Sequence, residues 1–147
     1  MVVEAVVEQL PVILPDAYKR RFGAMAARDI VAREVLHLTY TAHDMAPFAR
    51  DMGYVEGHSS SGGKGPKVRP PFVWDEADRR QRRARLDALY FHLYDISRED
   101  AEYILSTFPI VRRQDEAAFG RFLTRDLIIH HMDALAAGDT EAIVATR

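Results

Sequence analysis

The most regular hydrophobic pattern in the chain is Leu86, Leu89, Tyr90 and Leu93, spaced i, i+3, i+4 and i+7. That spacing predicts one buried face of a helix over about residues 76–94. Continued backwards, the same rule reaches Arg83, Arg82 and Arg79, so the apolar stripe runs on as an arginine stripe. Unpaired buried arginines are very costly, so the first two turns are expected to overhang the local core. Solvent, acidic side chains, another domain or phosphate then faces them.

Other elements follow from punctuation. Val3, Val6, Val7 and Leu10 have helical spacing, although β-branched residues favour helix poorly. Pro11 and Pro15 bracket an extended "PVILP", and Asp16 is placed to cap a long helix running to about residue 40. Its stripe comprises Phe22, Met25, Ala26, Val35 and Leu36, with Leu38 and Tyr40 near the end. A short second helix follows in "TAHDMAPFARDMG", capped by Thr41 or Asp44. Pro47 falls in its first turn and Gly53 stops it.

Residues 56–67, "EGHSSSGGKGPK", have the composition of a flexible loop, and "VRPPFVW" is extended because two prolines forbid helix. Beyond the arginine helix, "SRED" reads as a capping box that starts a helix after Ser97 and ends at Pro109. "IVRR" is expected as a short extended link and "DEAAFGRF" as a helical turn. Thr124 is placed to cap a helix carrying Leu127, Ile128, His131, Met132 and Leu135, closed by Gly138, and Asp139 to cap a last short helix. The expectation is a mainly α fold: a single helical module over residues 1–147, with five to six helices and extended Pro-containing connectors.

Charge sharpens this picture. The net charge of −2 over 147 residues conceals a basic block. Residues 64–85 hold eight basic groups against Asp75, Glu76 and Asp78, so the block carries +5 and the rest of the chain −7. Arginine outnumbers lysine 17 to 3, and guanidinium forms flat, bidentate contacts with phosphate or carboxylate. Cations at a helix N-terminus oppose the helix dipole by roughly 0.3–1 kcal/mol each, which points weakly to an anionic partner such as a nucleic-acid backbone. Arg79, Arg80, Arg82, Arg83 and Arg85 are the candidate phosphate contacts, with Arg112 and Arg113 as possible additions to the same surface. No base-reading motif accompanies them.

Cysteine is absent, which removes disulfides and thiolate chemistry and fits a cytoplasmic location. The chain has no apolar run near 18 residues and no basic leader at its start. His37, His43-Asp44, His92, His130-His131 and Asp133 are of the types that bind metals. Their spacing is generic, and they read as structural, with no metal expected. No HExxH, GxSxG, GxxxxGK[ST] or strand-linked GxGxxG occurs, so no catalytic residue is assigned.

The segments "LHLTYTAHDMAPFARDMGY" and "PPFVWDEADRRQRRARLDALYFHLYDISREDAEYILSTFPIVRRQDEAAFGRFLTRDLIIHHMDAL" resemble the C-terminal segment of large bacterial adenine-N6 DNA methyltransferases, those of type IIG/IIS restriction–modification and related phage-defence systems. The likeness runs from about Leu36 to Leu135 and departs at the longer loop 56–67. The family's catalysis needs an S-adenosylmethionine pocket and an Asn-Pro-Pro-Tyr type motif. Here the only paired prolines are Pro70-Pro71, between Arg69 and Phe72. The resemblance therefore implies a non-catalytic C-terminal part of a larger protein, with S-adenosylmethionine expected only for the parent enzyme. Its implied partners are the methyltransferase core and, through the arginine helix, DNA. The alternative is a purely structural docking module whose arginines never touch DNA.

Overall fold

The computed structural model describes residues 10–57 and 65–145. The apolar spacing at Val3, Val6 and Val7 lies outside them. The long helix expected from Asp16 is broken. Pro15–Lys19 forms one 3₁₀ turn, and β1 (Arg21–Phe22) pairs with β2 (Met25–Ala26) in a small antiparallel hairpin. Gly23 turns that hairpin at φ +59°, and a Cβ there would stand 2.2 Å from the carbonyl oxygen of Gly138. A side chain is excluded on both counts, and glycine is what the turn requires.

Helix α1 (Ala27–Thr39) starts only after the hairpin. A 3₁₀ turn at His43–Met45 leads into α2 (Ala46–Asp51), with Pro47 in its first turn. The expected caps Thr41 and Asp44 are not used, since Met45 is the N-cap and makes no side-chain cap bond. β3 (Val55–Glu56) and β4 (Lys67–Val68) pair antiparallel, and most of the flexible loop expected at 56–67 lies outside the described residues.

Helix α3 (Glu76–Leu93) matches the predicted span, and Asp75 caps it by accepting from the Asp78 N–H at 2.7 Å. Ser97 caps α4 (Arg98–Ser106) by accepting from the Asp100 N–H at 3.0 Å. The extended link expected at "IVRR" is helical instead. Pro109 begins α5 (Pro109–Phe119) as its first residue, where its missing N–H costs nothing, and Gly120 ends it at φ +71°.

Helix α6 (Leu123–Ala136) follows. Thr124 does not cap it; its own N–H donates to Asp115 at 2.6 Å. Among the described residues no helix follows Asp139, whose side chain accepts from the Glu141 N–H at 2.9 Å. Residues 139–145 run on without regular structure.

Helices α3 and α6 form the central pair, with α1, α4 and α5 packed around them. Ala27, Ile30, Ala88, Leu89, Ala101, Leu123, Leu127 and Ile128 are all at most 2% exposed in one core. A satellite cluster gathers Leu36, Tyr40, Ala49, Tyr54 and Phe72. The Phe72 N–H donates to the Tyr40 carbonyl at 2.9 Å and ties the proline connector to α1. Six α-helices and two short hairpins among the described residues make a mainly α fold. No described helix is long and apolar enough to cross a membrane.

Candidate nucleic-acid interface

The buried face of α3 is Gln81, Ala84, Arg85, Ala88, Leu89 and Leu93, while Leu86 and Tyr90 are half-buried. The stripe therefore sits about one position away from the one read off the leucines. This rotation decides where each arginine goes, and it corrects the expectation that the first two turns overhang the core. The signal for it was present in Ala84 and Ala88, whose small side chains allow close approach of α6.

Glu34 on α1 is fully buried, and three arginines converge on it. Arg33 reaches it at 2.7 Å, Arg82 at 2.8 Å and Arg85 at 3.0 Å. Arg82 also holds Asp78 at 2.7 Å, and Arg33 holds Glu141. Three guanidiniums thus face three carboxylates, which is the pairing that lets charge exist inside a core.

The same side chains fasten residues 140–144. Arg33 donates to the Thr140 carbonyl at 2.8 Å and Arg85 to the Ala142 carbonyl at 2.8 Å. The Gln81 amide donates to the Val144 carbonyl at 2.8 Å and accepts its N–H at 3.3 Å. Every second residue of the segment is read through its backbone, independently of its side chain.

His131 completes this interior. It is 1% exposed, and its ring Nε2 donates to Gln81 Oε1 at 2.9 Å. Burial first, then the Arg85 charge, pushes its pKa down to about 4, so it is neutral at pH 7.

The other histidines among the described residues are placed as follows. His92 meets the Met132 carbonyl at 2.9 Å. His37 stacks on Phe72 at 3.7 Å, and its pKa is lowered by burial and by Arg82. His43 and His130 are exposed. Among the described residues no group of three or more potential ligands converges on a point that could hold a metal.

Of the predicted phosphate contacts, Arg82 and Arg85 are therefore turned inward, with side chains only 16% and 7% exposed. Arg79 is half-buried; it donates to the Leu38 carbonyl at 2.9 Å and stacks on Trp74. Arg80, half-buried like Arg79, and the exposed Arg83 line an open cleft of about 380 Å³ between α3 and α5. Arg80 lies over the Phe119 ring, and Arg83 pairs with Glu76 at 2.8 Å.

Asp87 and Asp115 line that cleft as well, so its charge is mixed. Arg112 and Arg113 do not extend it. Val111, Gln114 and Asp115 line the cleft, which places residues 112 and 113 on the other side of α5 by helical rotation. Arg112 pairs there with Glu116 at 2.7 Å. The seven candidate arginines thus divide into Arg82 and Arg85 in the interior, Arg79 on Trp74, Arg80 and Arg83 at the cleft, and Arg112 and Arg113 at the periphery. No protein-family model matches the chain, and neither a curated protein nor a solved structure does.

Proposed function

We propose that the chain is a non-catalytic helical module of a larger protein, an adenine-N6 DNA methyltransferase of the restriction–modification type. It would pack on the catalytic core and touch DNA weakly, through the backbone, with Arg80 and Arg83 and separately with Arg112 and Arg113. The parentage rests on the sequence resemblance. The observation that carries the division of labour is the inward turn of Arg82 and Arg85 onto Glu34, which leaves Arg83, Arg112 and Arg113 exposed and Arg80 half-buried at the cleft.

Their present partners do not bar phosphate. The Arg83–Glu76 and Arg112–Glu116 pairs are exposed, and such pairs contribute little. A salt titration of duplex DNA binding by fluorescence anisotropy tests the proposal. Affinity of about 10⁻⁴–10⁻⁶ M at physiological salt is expected. The salt slope should fall by about 1 for each arginine removed in Arg80→Gln/Arg83→Gln and in Arg112→Gln/Arg113→Gln. Curves that coincide for wild type and both double variants would remove DNA contact from the reading.

A docking module without DNA contact is the second reading, and a specific observation favours it. Tyr90, Phe91, Tyr94, Ile104 and Phe108 line an open, mostly apolar groove of about 400 Å³ between α3, α4 and α6. Apolar surface of this kind marks interaction sites.

A further inference from the structure

Val73 and Trp74 leave the proline connector pointing outward, 91% and 60% exposed, directly after Phe72 has turned into the satellite cluster. Trp74 is not loose. The Arg79 guanidinium carbon lies 3.7 Å from the indole centroid, a separation that only face-on stacking reaches. Arg79 is itself fixed by its 2.9 Å bond to the Leu38 carbonyl, and its Nε has no hydrogen-bond partner among the described residues. One indole face is therefore covered by a cation. Among the described residues no second ring stacks on the other.

The surroundings carry net positive charge. Over residues 65–85 seven basic side chains stand against Asp75, Glu76 and Asp78. Glu34 pairs with Arg82 and Arg85 of the same set, so seven cations against four acids leave +3. A rigid, cation-backed aromatic plane in a basic stretch has the chemistry of a stacking platform for an unpaired base. Every base offers a π face, and the phosphates answer the charge.

The geometry points to Trp74, backed by Arg79, as a stacking site for a nucleobase of single-stranded DNA. This rests on the reading that the module meets DNA, and it adds a preference that backbone contacts alone do not give. Trp74 is the only tryptophan in the chain, so intrinsic emission reports on this site alone.

The test uses the full chain, titrated with a labelled oligothymidylate single strand and with a duplex of equal length. Label anisotropy and tryptophan emission are read together. The single strand should quench Trp74. Trp74→Ala should weaken single-strand binding by about tenfold, the loss of one stacked base, with duplex binding changed less than twofold. Trp74→Phe should keep most of the single-strand affinity.

Circular dichroism checks the fold of each variant, and the exposure of Trp74 makes loss of folding a remote outcome. If both DNAs raise the anisotropy while Trp74 emission stays constant, the stacking site is refuted and backbone contact stands. If neither DNA binds, both fall. Emission that changes only when the module meets another protein also overturns the stacking site and makes Trp74 a docking anchor.

Discussion

Arg83 and Arg85 stand two positions apart on one helix, and each forms an ion pair of about the same length, 2.8 and 3.0 Å. Their surroundings are opposite. Arg83 is 55% exposed beside a half-exposed Glu76, whereas Arg85 is 7% exposed against a carboxylate that water does not reach. In the first pair, water and salt can replace either partner at little cost. In the second, each charge is tolerable only because the other is present. Bond length does not distinguish them; the solvent lost in making them does. A count of arginines therefore overstates how much of this helix can meet a ligand.

The largest expected effect comes from taking the acid out of the interior set. Glu34→Gln leaves Arg33, Arg82 and Arg85 around a neutral group and should cost about 3–5 kcal/mol in urea unfolding. Replacing Glu34 and Arg85 together with methionine should recover part of that loss. A Glu34→Gln protein as stable as wild type would erase the distinction between the two regions.

Acid should act on the same interior through His131. Its pKa in the fold is about 4, below the value near 6.5 expected for the unfolded chain. The unfolded state thus binds the proton first. The contribution of neutral His131 is complete above pH 6.5 and is lost as pH falls toward 4, up to about 3 kcal/mol. Urea unfolding at a series of pH values, compared with His131→Gln, isolates this group from the carboxylates. Parallel pH profiles for the two proteins would show that His131 is not held neutral.

The smallest effect belongs to the outer pair. Glu76→Gln should change stability by less than about 0.5 kcal/mol. A loss comparable to that of Glu34→Gln would show that the cleft is structurally engaged. The same substitution removes the acid beside Arg83, so it should strengthen duplex binding slightly if that arginine meets phosphate.

Much of the helical framework was legible in the residues, because it is written in local chemistry. Ser97 reads as a cap and is one, and the α3 span follows from its apolar spacing, whereas Asp75 caps α3 without that role being read from the sequence. What was not legible depended on distant partners. Gly23 reads as an ordinary glycine inside a helical pattern until Gly138 is seen packed against it. Pro109 reads as a stop, although it is equally a start. The arginine stripe was sensed, with acidic side chains among its possible neighbours, but its orientation was not. Glu34 lies 48 positions before Arg82 and 51 before Arg85, and nothing local marks it as the buried anion.

The fastening of residues 140–144 has a consequence for the chain as a polymer. The bond from Arg33 to the Thr140 carbonyl spans 107 positions and so encloses most of the sequence in a single loop. Loop-closure entropy grows only with the logarithm of length, about 0.6 kcal/mol per doubling, so so wide a span adds little to the cost of the folded state. Contacts of such separation weigh heavily on folding speed, because intervening segments must be ordered before they are rewarded. Helices α3 and α4 can be organised by neighbours in sequence. The charge balance around Glu34 is complete only when the two ends of that loop meet.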